Sequence, residues 1–278
     1  MTPESDTSGG SPAPGPEQHP LDLDSLAPIL FTPARTLDEL KGAFTLVHNS
    51  YVDRGYIDQA EQSLRFGIHN LLPETTTFVA LLADTVIATV TLVVDSPLGL
   101  PMEVIYHDEV TALRKHGRRL GEVTMLADRR RQFLRTLPMV LALFRTLMDY
   151  AIDVPHLDDL CITLNPRHAH FYRRFLNFAD IGTLKSYPSV RDNPALAMRF
   201  PLETLPALLT ENPRYRGAYE STSSITRASF EDRIHLTPQT LDLLIGLLPD
   251  PHELTPDANR YLTNCYASGP PHDPQQAP

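Results

Sequence analysis

One acidic residue stands inside a mostly apolar stretch of the sequence. Glu122 lies in the segment from Leu120 to Ala127, whose composition predicts a short buried strand. Burial disfavours the charged form of a carboxylate and raises its pKa toward the range in which it can act as a general base. The alternative is a buried carboxylate that pairs with Arg118 or Arg119 for structural reasons alone. The sequence leaves both interpretations open.

The basic segment after this strand is a candidate anion site. It reads DRRRQFLRT and ends at Thr136, the predicted N-cap of a helix over about 137–152, with Pro138 in its first turn. A helix N-terminus adds partial positive charge to that of the arginines, so the segment favours phosphate binding over a merely solvated loop. The candidate phosphate-binding residues are Arg129, Arg130, Arg131 and Arg135.

A second predicted helix starts after Asn165, which is its expected N-cap, and continues to about Leu176. Its two histidines, His168 and His170, stand two positions apart and point to different helix faces, so they do not form a metal site. Cys161 lies in a predicted buried strand, and the sequence identifies no neighbour that would activate its thiol. We therefore expect no bound metal and no cysteine nucleophile.

Composition narrows the class of protein. The chain has 278 residues, of which 42% are hydrophobic, and its net charge is -10. An acidic chain of this kind is not typical of nucleic-acid binders. The charge is unevenly distributed, because residues 114–191 hold 14 of the 24 basic residues but only seven acidic ones. That region is therefore positive, and an acidic partner could bind there.

The chain has only two cysteines, and it shows neither a signal peptide nor an apolar stretch of about 20 residues. We therefore expect a cytoplasmic protein without a membrane span.

These residues must be positioned by an α/β (α+β) domain, predicted over residues 29–201. Residues 202–265 are predicted to form a helical C-terminal extension. The ends, 1–28 and 266–278, are too poor in large apolar side chains to offset the entropy of ordering, so we expect disordered tails. The predicted elements of the domain are helices at 36–57, 137–152 and 166–176, a hairpin at 76–95, a partly helical segment at 102–119, and strands at 120–127, 160–164, 179–185 and 195–201.

Six stretches of the chain resemble the GNAT superfamily of acyltransferases, in particular its branch of long-chain N-acyl amino acid synthases. They are HNSYVDRGYI at 48–57, HNLLPETTTFVA at 69–80, DSPLGLPMEVIY at 95–106, GRRLGEVTMLADRRRQ at 117–132, NPRHAHFYRRFLNF at 165–178 and YPSVRDNPALAMRF at 187–200. The resemblance covers about 31–201, and NPRHAHFYRRFLNF together with SPLGLP is its most specific part.

The resemblance implies a GNAT fold, with a mixed, mostly antiparallel sheet whose central parallel strands, 121–127 and 160–164, splay apart. It further implies an N-acyltransferase that moves a fatty acyl group from a phosphopantetheine thioester to the amine of an amino acid or similar small molecule. The thioester would be a co-substrate, carried by an acyl carrier protein or by coenzyme A, and no tightly bound cofactor is expected.

The resemblance also assigns roles to single residues. Glu122 would take the proton of the attacking amine, directly or through a water molecule. Tyr172 would protonate the departing thiolate or hold the thioester sulfur, although a half-buried packing tyrosine is the alternative. Asn165 and His168 would contact the co-substrate.

Two departures from the family pattern bear on the substrates. The segment after the strand lacks the glycine that usually helps to cradle the coenzyme A pyrophosphate, which favours an acyl carrier protein as donor. The basic groups on both sides of the strand, 114–119 and 129–135, would then flank one pantetheine mouth. Met125 stands where related synthases tend to carry an arginine, so the identity of the amine substrate stays open.

Two other functions compete with this one: an acetyl-CoA-dependent N-acetyltransferase and a non-catalytic module that binds acyl thioesters. An acyl tunnel between the strand at 86–94 and the helix at 137–152 would favour the fatty acyl transferase, and a filled core there would favour the acetyltransferase. A closed site with Glu122 locked to an arginine would favour the binding module.

Overall fold

The structure is a computed structural model that describes residues 29–129, 133–221 and 230–267. Of residues 133–138, 214, 218 and 221 it describes the backbone alone. The predicted tails, 1–28 and 266–278, lie outside these ranges except for Tyr266 and Ala267. These two residues end a helix, which corrects the predicted boundary.

Eight α-helices are present in the described residues. They are α1 (Leu37–Asp53), α2 (Glu103–Lys115), α3 (Phe133–Asp153), α4 (Ala169–Phe175), α5 (Leu205–Glu211), α6 (Pro213–Ser221), α7 (Pro238–Ile245) and α8 (Pro256–Ala267). The predicted helical extension thus comprises α5 to α8.

The strands of the same ranges form one eight-stranded sheet. They are β1 (Leu30–Pro33), β2 (Thr76–Leu82), β3 (Thr85–Val94), β4 (Leu120–Asp128), β5 (Asp159–Leu164), β6 (Ala179–Asp180), β7 (Lys185–Tyr187) and β8 (Asn193–Pro201). Their order is β1-β2-β3-β4-β5-β8-β6, and β7 pairs with β8. β4 and β5 are parallel, because α3 crosses over between them, and the other pairs are antiparallel. This confirms the predicted mixed, mostly antiparallel sheet.

Local sequence accounts for the elements that lead into the centre of the sheet. The hydroxyl of Thr36 accepts a hydrogen bond from the Glu39 amide at 3.1 Å and so caps α1. The β2–β3 hairpin turns at Ala83 and Asp84, both with positive φ, as a two-residue turn of this hand requires. On the other side of the sheet, Asn165 accepts from the Arg167 amide at 3.2 Å and opens a 3-10 turn that leads into α4.

Two further sequence-based boundaries were wrong. α3 begins at Phe133 rather than near 137, so Thr136 lies inside the helix and is not its N-cap. Pro138 therefore removes one hydrogen bond from within the helix rather than from its free first turn. The strand predicted over 179–185 is two short strands, β6 and β7, both paired with β8.

The sheet separates two apolar layers, because successive side chains of a strand point to opposite faces. On β2, Phe78 and Ala80 join the layer that contains α3, α4, α5 and α6, whereas Val79 and Leu81 join the layer of α1, α7 and α8. α2 covers the second face further along, over β4, β5 and β8. The parallel pair β4–β5 thus lies in the middle of the molecule, covered on both faces.

Candidate active site

A gap opens between β4 and β5 partway along the two strands. Their parallel pairing ends at Val123 and Ile162, whereas β4 continues to Asp128 and β5 to Leu164. Just beyond the last pair, Met125 has a φ of 56° and the register between β4 and β3 shifts, which identifies a β-bulge. The strands therefore separate, as the resemblance implied.

The gap opens into a cavity of about 550 Å³. Its walls come from β4, β5, the end of α1, the connection from α1 to β2, the start of α4 and the turn between β7 and β8. Small-molecule sites typically span about 300–1,000 Å³, so the cavity is large enough for a ligand. Glu122, Tyr172, Asn165 and His168 all line it, so the structure brings four of the predicted site residues together.

Glu122 is buried, with 2% of its surface exposed. Its Oε2 atom accepts a hydrogen bond from the backbone amide of Met102 at 2.7 Å. Burial raises the pKa of this carboxyl to about 8, although the Met102 amide opposes the shift. A carboxyl with a pKa near the working pH can accept and release a proton, as a general base must.

The alternative in which Glu122 pairs with a neighbouring arginine is wrong. Arg118 forms an ion pair with Asp159, with 2.6 Å between Nε and Oδ2, and Arg119 pairs with Asp158 at 3.4 Å. Both arginines are therefore engaged elsewhere. Glu122 also does not fit the arrangement expected for a closed binding module.

Tyr172 borders the cavity from the opposite face of the sheet. Its ring makes edge-to-face contacts with Phe144, Phe171 and Phe178, and 6% of its surface is exposed. Burial raises the pKa of its hydroxyl further above the ordinary value of 10. A phenol this weakly acidic keeps its proton, so it is better suited to donate a hydrogen bond to a sulfur atom than to transfer the proton.

Asn165 and His168 stand at the entry to α4. The side chain of Asn165 is used as the predicted cap. His168 accepts a hydrogen bond from Arg167 Nε at 3.0 Å, and burial together with the charge of Arg167 lowers its pKa. His168 is thus neutral at pH 7 and faces the cavity as a polar, uncharged group.

The structure describes only part of the predicted anion site. Arg129 is exposed, and its backbone amide donates to the Ile87 carbonyl at 2.9 Å. Arg130 and Arg131 lie outside the described residues, and Arg135 lies in the first turn of α3 with its backbone alone described. The phosphate-binding role of these arginines stays a prediction.

For Arg129, the expectation that the two basic groups flank one mouth was wrong. Residues 114–119 precede β4 and Arg129 follows it, so they lie at opposite ends of a nine-residue strand that spans roughly 30 Å. Arg114 also forms ion pairs with both Asp95 and Glu103, so its charge is neutralised within the chain.

Sequence reasoning missed several residues of the cavity wall. Tyr51 and Arg65 lie at and after the end of α1, and Tyr187 lies at the end of β7. Tyr187 donates to the Pro101 carbonyl at 3.4 Å, which ties β7 to the start of α2. Tyr51 lies in the family-like stretch HNSYVDRGYI and Tyr187 in YPSVRDNPALAMRF, so a signal existed for both, whereas Arg65 lies in none of the six stretches.

The C-terminal extension also reaches the cavity. Glu253, between α7 and α8, lines it and accepts a hydrogen bond from the Ile68 amide at 3.1 Å. Two residues after Ile68, the Asn70 side-chain amide donates to the sulfur of Met125 at 3.1 Å. The extension therefore supports a wall of the site directly.

Across the described ranges, no group of three or more His, Cys, Asp or Glu side chains is arranged to hold a metal ion. Nor does any helix in these ranges have the length and apolar character needed to cross a membrane.

The fold and the site define an acyltransferase of the GNAT type. Comparison with known families shows more: the sequence model of the N-acyl amino acid synthase FeeM matches residues 42–201, more than half of the chain. The chain belongs to this family and is an N-acyltransferase.

Solved structures agree with this assignment. The chain is similar to FeeM, an N-acyl amino acid synthase from uncultured soil microbes, with 28% sequence identity and a TM-score of 0.57 over 69% of this chain and 99% of that one. It shares its fold with BjaI, a CoA-dependent acyl-homoserine lactone synthase solved with SAM and isopentyl-CoA, with 11% identity and a TM-score of 0.52 over 78% and 98% of the two chains. No curated protein sequence matches significantly.

Proposed function

We propose that this N-acyltransferase moves a fatty acyl group from a phosphopantetheine thioester to the amine of an amino acid or similar small molecule. The observation that carries the proposal is Glu122, a buried carboxyl without an arginine partner in the described chain, at the edge of a cavity that opens between β4 and β5.

The reaction follows from these positions. The amine nitrogen attacks the thioester carbonyl carbon, the new C–N bond forms, and the C–S bond then breaks. Glu122 accepts the proton that the amine loses, directly or through water, and Tyr172 donates a hydrogen bond to the departing sulfur. In the described chain, β4 lacks a partner strand beyond Val123 on the side of β5, so its amides there are available to the carbonyl oxygen.

The length of the acyl group depends on the space between β3 and α3. The space between β3 and α3 is packed with fully buried side chains, among them Val90, Leu143 and Phe144. Among the described side chains of these two elements, the cavity touches only Val93 of β3 and Val140 of α3. This packing favours a second candidate, transfer of a short acyl group such as acetyl, unless a long chain displaces these side chains.

For the donor we favour an acyl carrier protein over coenzyme A. Support comes from the positive charge of residues 114–191 and from the glycine-free segment 129–135, because a carrier-linked pantetheine has one phosphate and no adenosine pyrophosphate. Arg114, Arg118 and Arg119 form ion pairs within the chain, so their charge is largely neutralised. The basic residues left to attract a carrier protein are Arg129, Arg130, Arg131 and Arg135.

The test is direct incubation of the full chain with a mixture of amino acids and thioesters of two to sixteen carbons, each offered on coenzyme A and on a carrier protein. New amides are identified by mass spectrometry. Products with long chains support the proposal, and acetyl products alone support the second candidate. If no thioester yields an amide, the proposed function is wrong.

A further inference from the structure

Arg65 lies in the wall of the cavity. Its backbone amide donates to the Phe44 carbonyl of α1 at 3.1 Å, and the next residue, Phe66, stacks on the Phe44 ring at 4.6 Å between centroids. The guanidinium lies 6.0 Å from the centroid of the Tyr51 ring, and Nη2 donates to the Ser189 carbonyl at 3.3 Å. The side chain is therefore positioned from α1 and from the β7–β8 turn.

The charge of Arg65 has no acidic partner within 4 Å in the described part of the chain. Two half-buried arginines elsewhere in the chain do have one: Arg114 pairs with Asp95 and Arg199 with Asp159. Glu253 lines the same cavity, but its Oε2 atom accepts from the Ile68 amide and the two side chains form no ion pair. A guanidinium has five N–H donors, and the single hydrogen bond seen here leaves most of them for a ligand.

Tyr187 connects this cation to Glu122. Its hydroxyl donates to the Pro101 carbonyl, and the next residue, Met102, supplies the amide that binds Glu122. Two residues further along the chain, the Ser189 carbonyl accepts a hydrogen bond from Arg65, and Arg65 and Glu122 both line the cavity. The two side chains are thus connected through the β7–β8 turn and the start of α2.

An α-amino acid carries its amine and its carboxylate on the same carbon atom. An amine positioned for deprotonation by Glu122 would bring that carboxylate toward Arg65, whose planar fork matches a carboxylate in a two-point hydrogen bond.

Building on the proposed function, we infer that Arg65 is the specificity-determining residue that binds the carboxylate of the acceptor. The enzyme therefore prefers free amino acids to amines without an acidic group. The preference comes from binding geometry, because a neutral amide in place of the carboxylate leaves the guanidinium inside the cavity without its anion.

Arg65 could instead bind the phosphate of the donor, since an arginine recognises both anions. Its contact with Ser189 argues against this. The β7–β8 turn meets the α1–β2 connection at this contact, whereas the basic segment that is the candidate phosphate site follows β4. The experiment separates the two anions by varying acceptor and donor independently.

The experiment compares glycine, L-leucine and L-phenylalanine with their carboxamides as acceptors, using the parent chain, Arg65→Gln and Arg65→Lys. Arg119→Gln is the matched control, because Arg119 pairs with Asp158 and does not line the cavity. We expect the ratio of kcat/KM for acid over amide to fall about 10- to 100-fold in Arg65→Gln, mainly through the KM of the acid, and to recover partly in Arg65→Lys. Comparison with the parent cancels the different intrinsic reactivities of the two amines.

An unchanged ratio in a folded Arg65→Gln chain would overturn the inference. A rise in donor KM that disappears with an acyl-pantetheine donor lacking phosphate would overturn it as well, and would assign Arg65 to the donor. Failure of the proposed function is a separate result, because the parent would then acylate none of these acceptors.

Discussion

The carboxyl of Glu122 accepts its hydrogen bond from the backbone amide of Met102, with 2.7 Å between the two atoms. This amide lies at the start of α2, where the first amides of a helix lack partners within the helix. A neutral donor offsets only part of the cost of burying a carboxylate, whereas a guanidinium would offset most of it. The pKa therefore lies near 8 rather than below its ordinary value.

The first prediction concerns the pH dependence of catalysis. If Glu122 must be ionised to accept a proton, kcat/KM should rise with pH and level off above a midpoint near 8. Glu122→Gln should lower kcat about 10²- to 10⁴-fold and remove this midpoint. Steady-state rates between pH 6 and 10 check both statements, with Cys161→Ala as a control for a neighbouring buried group. A folded Glu122→Gln enzyme with the parent profile would exclude Glu122 as the base.

The second prediction concerns stability. The folded-state pKa of Glu122 is raised above its unfolded value, so the unfolded chain ionises first as the pH increases. The free energy of unfolding should fall between about pH 4.5 and 8, on the order of a few kcal/mol, since each pKa unit corresponds to about 1.4 kcal/mol. Glu122→Gln lacks this ionisation, so its stability relative to the parent should increase over that window. Urea denaturation at pH 5, 7 and 9 measures the difference, and a constant difference would contradict the raised pKa.

The third prediction concerns Tyr172. Its hydroxyl is expected to hold the departing sulfur by a hydrogen bond, so Tyr172→Phe should lower kcat about 10-fold or more while the aromatic cluster with Phe144 and Phe178 survives. Tyr215→Phe, another buried tyrosine, is the control. Single-turnover kinetics with donors of different leaving-group acidity provide the measurement. The loss should shrink for more acidic thiols, and equal losses for all thiols would argue for a packing role alone.

Sequence reasoning recovered most of the central elements because their signals are local. The alternation of buried residues, the Thr36 cap and the two-residue turn at Ala83 and Asp84 are all decided within a few positions of the chain. Glu122 was identifiable because one acid in an apolar strand is unusual. Its partner was not, since the Met102 amide lies 20 residues away and is brought close only when α2 packs on the sheet.

Long-range contacts explain the other omissions. Arg65 and Ser189 meet across 124 residues, and Glu253 and Ile68 across 185. No local sequence pattern around these four residues predicts the two contacts. The predicted start of α3 was wrong for a different reason: proline favours the first turn of a helix, whereas Pro138 lies inside a helix that begins five residues earlier.

The fourth prediction concerns the extension. A methyl group added at Gly67 would lie 2.5 Å from Glu253 Oε2, so Gly67→Ala must displace that carboxylate from the Ile68 amide. Gly217→Ala is the matched control, because no described atom lies within 4 Å of its added methyl group. Both changes restrict the unfolded chain equally, so Gly67→Ala should be less stable than the control by about 1–3 kcal/mol. Thermal denaturation measures this, and equal stability would show that the extension does not brace this wall.

The fifth prediction concerns the donor. An acyl carrier protein is acidic, and at physiological salt the screening length is about 8 Å, so the charge near the site matters more than the net charge of -10. Reversing Arg130 or Arg131 to glutamate should raise KM for the acyl carrier protein steeply, and the rate of the parent enzyme should fall with added salt, because such association is steered electrostatically. Lys115→Glu makes the same change in charge at the opposite end of β4, where Lys115 is exposed, and should have little effect. Steady-state kinetics at 50 to 400 mM salt with carrier-linked and coenzyme A thioesters decide the matter. Equal efficiency with both donors, insensitive to salt and to the reversals, would assign coenzyme A as the carrier of the acyl group.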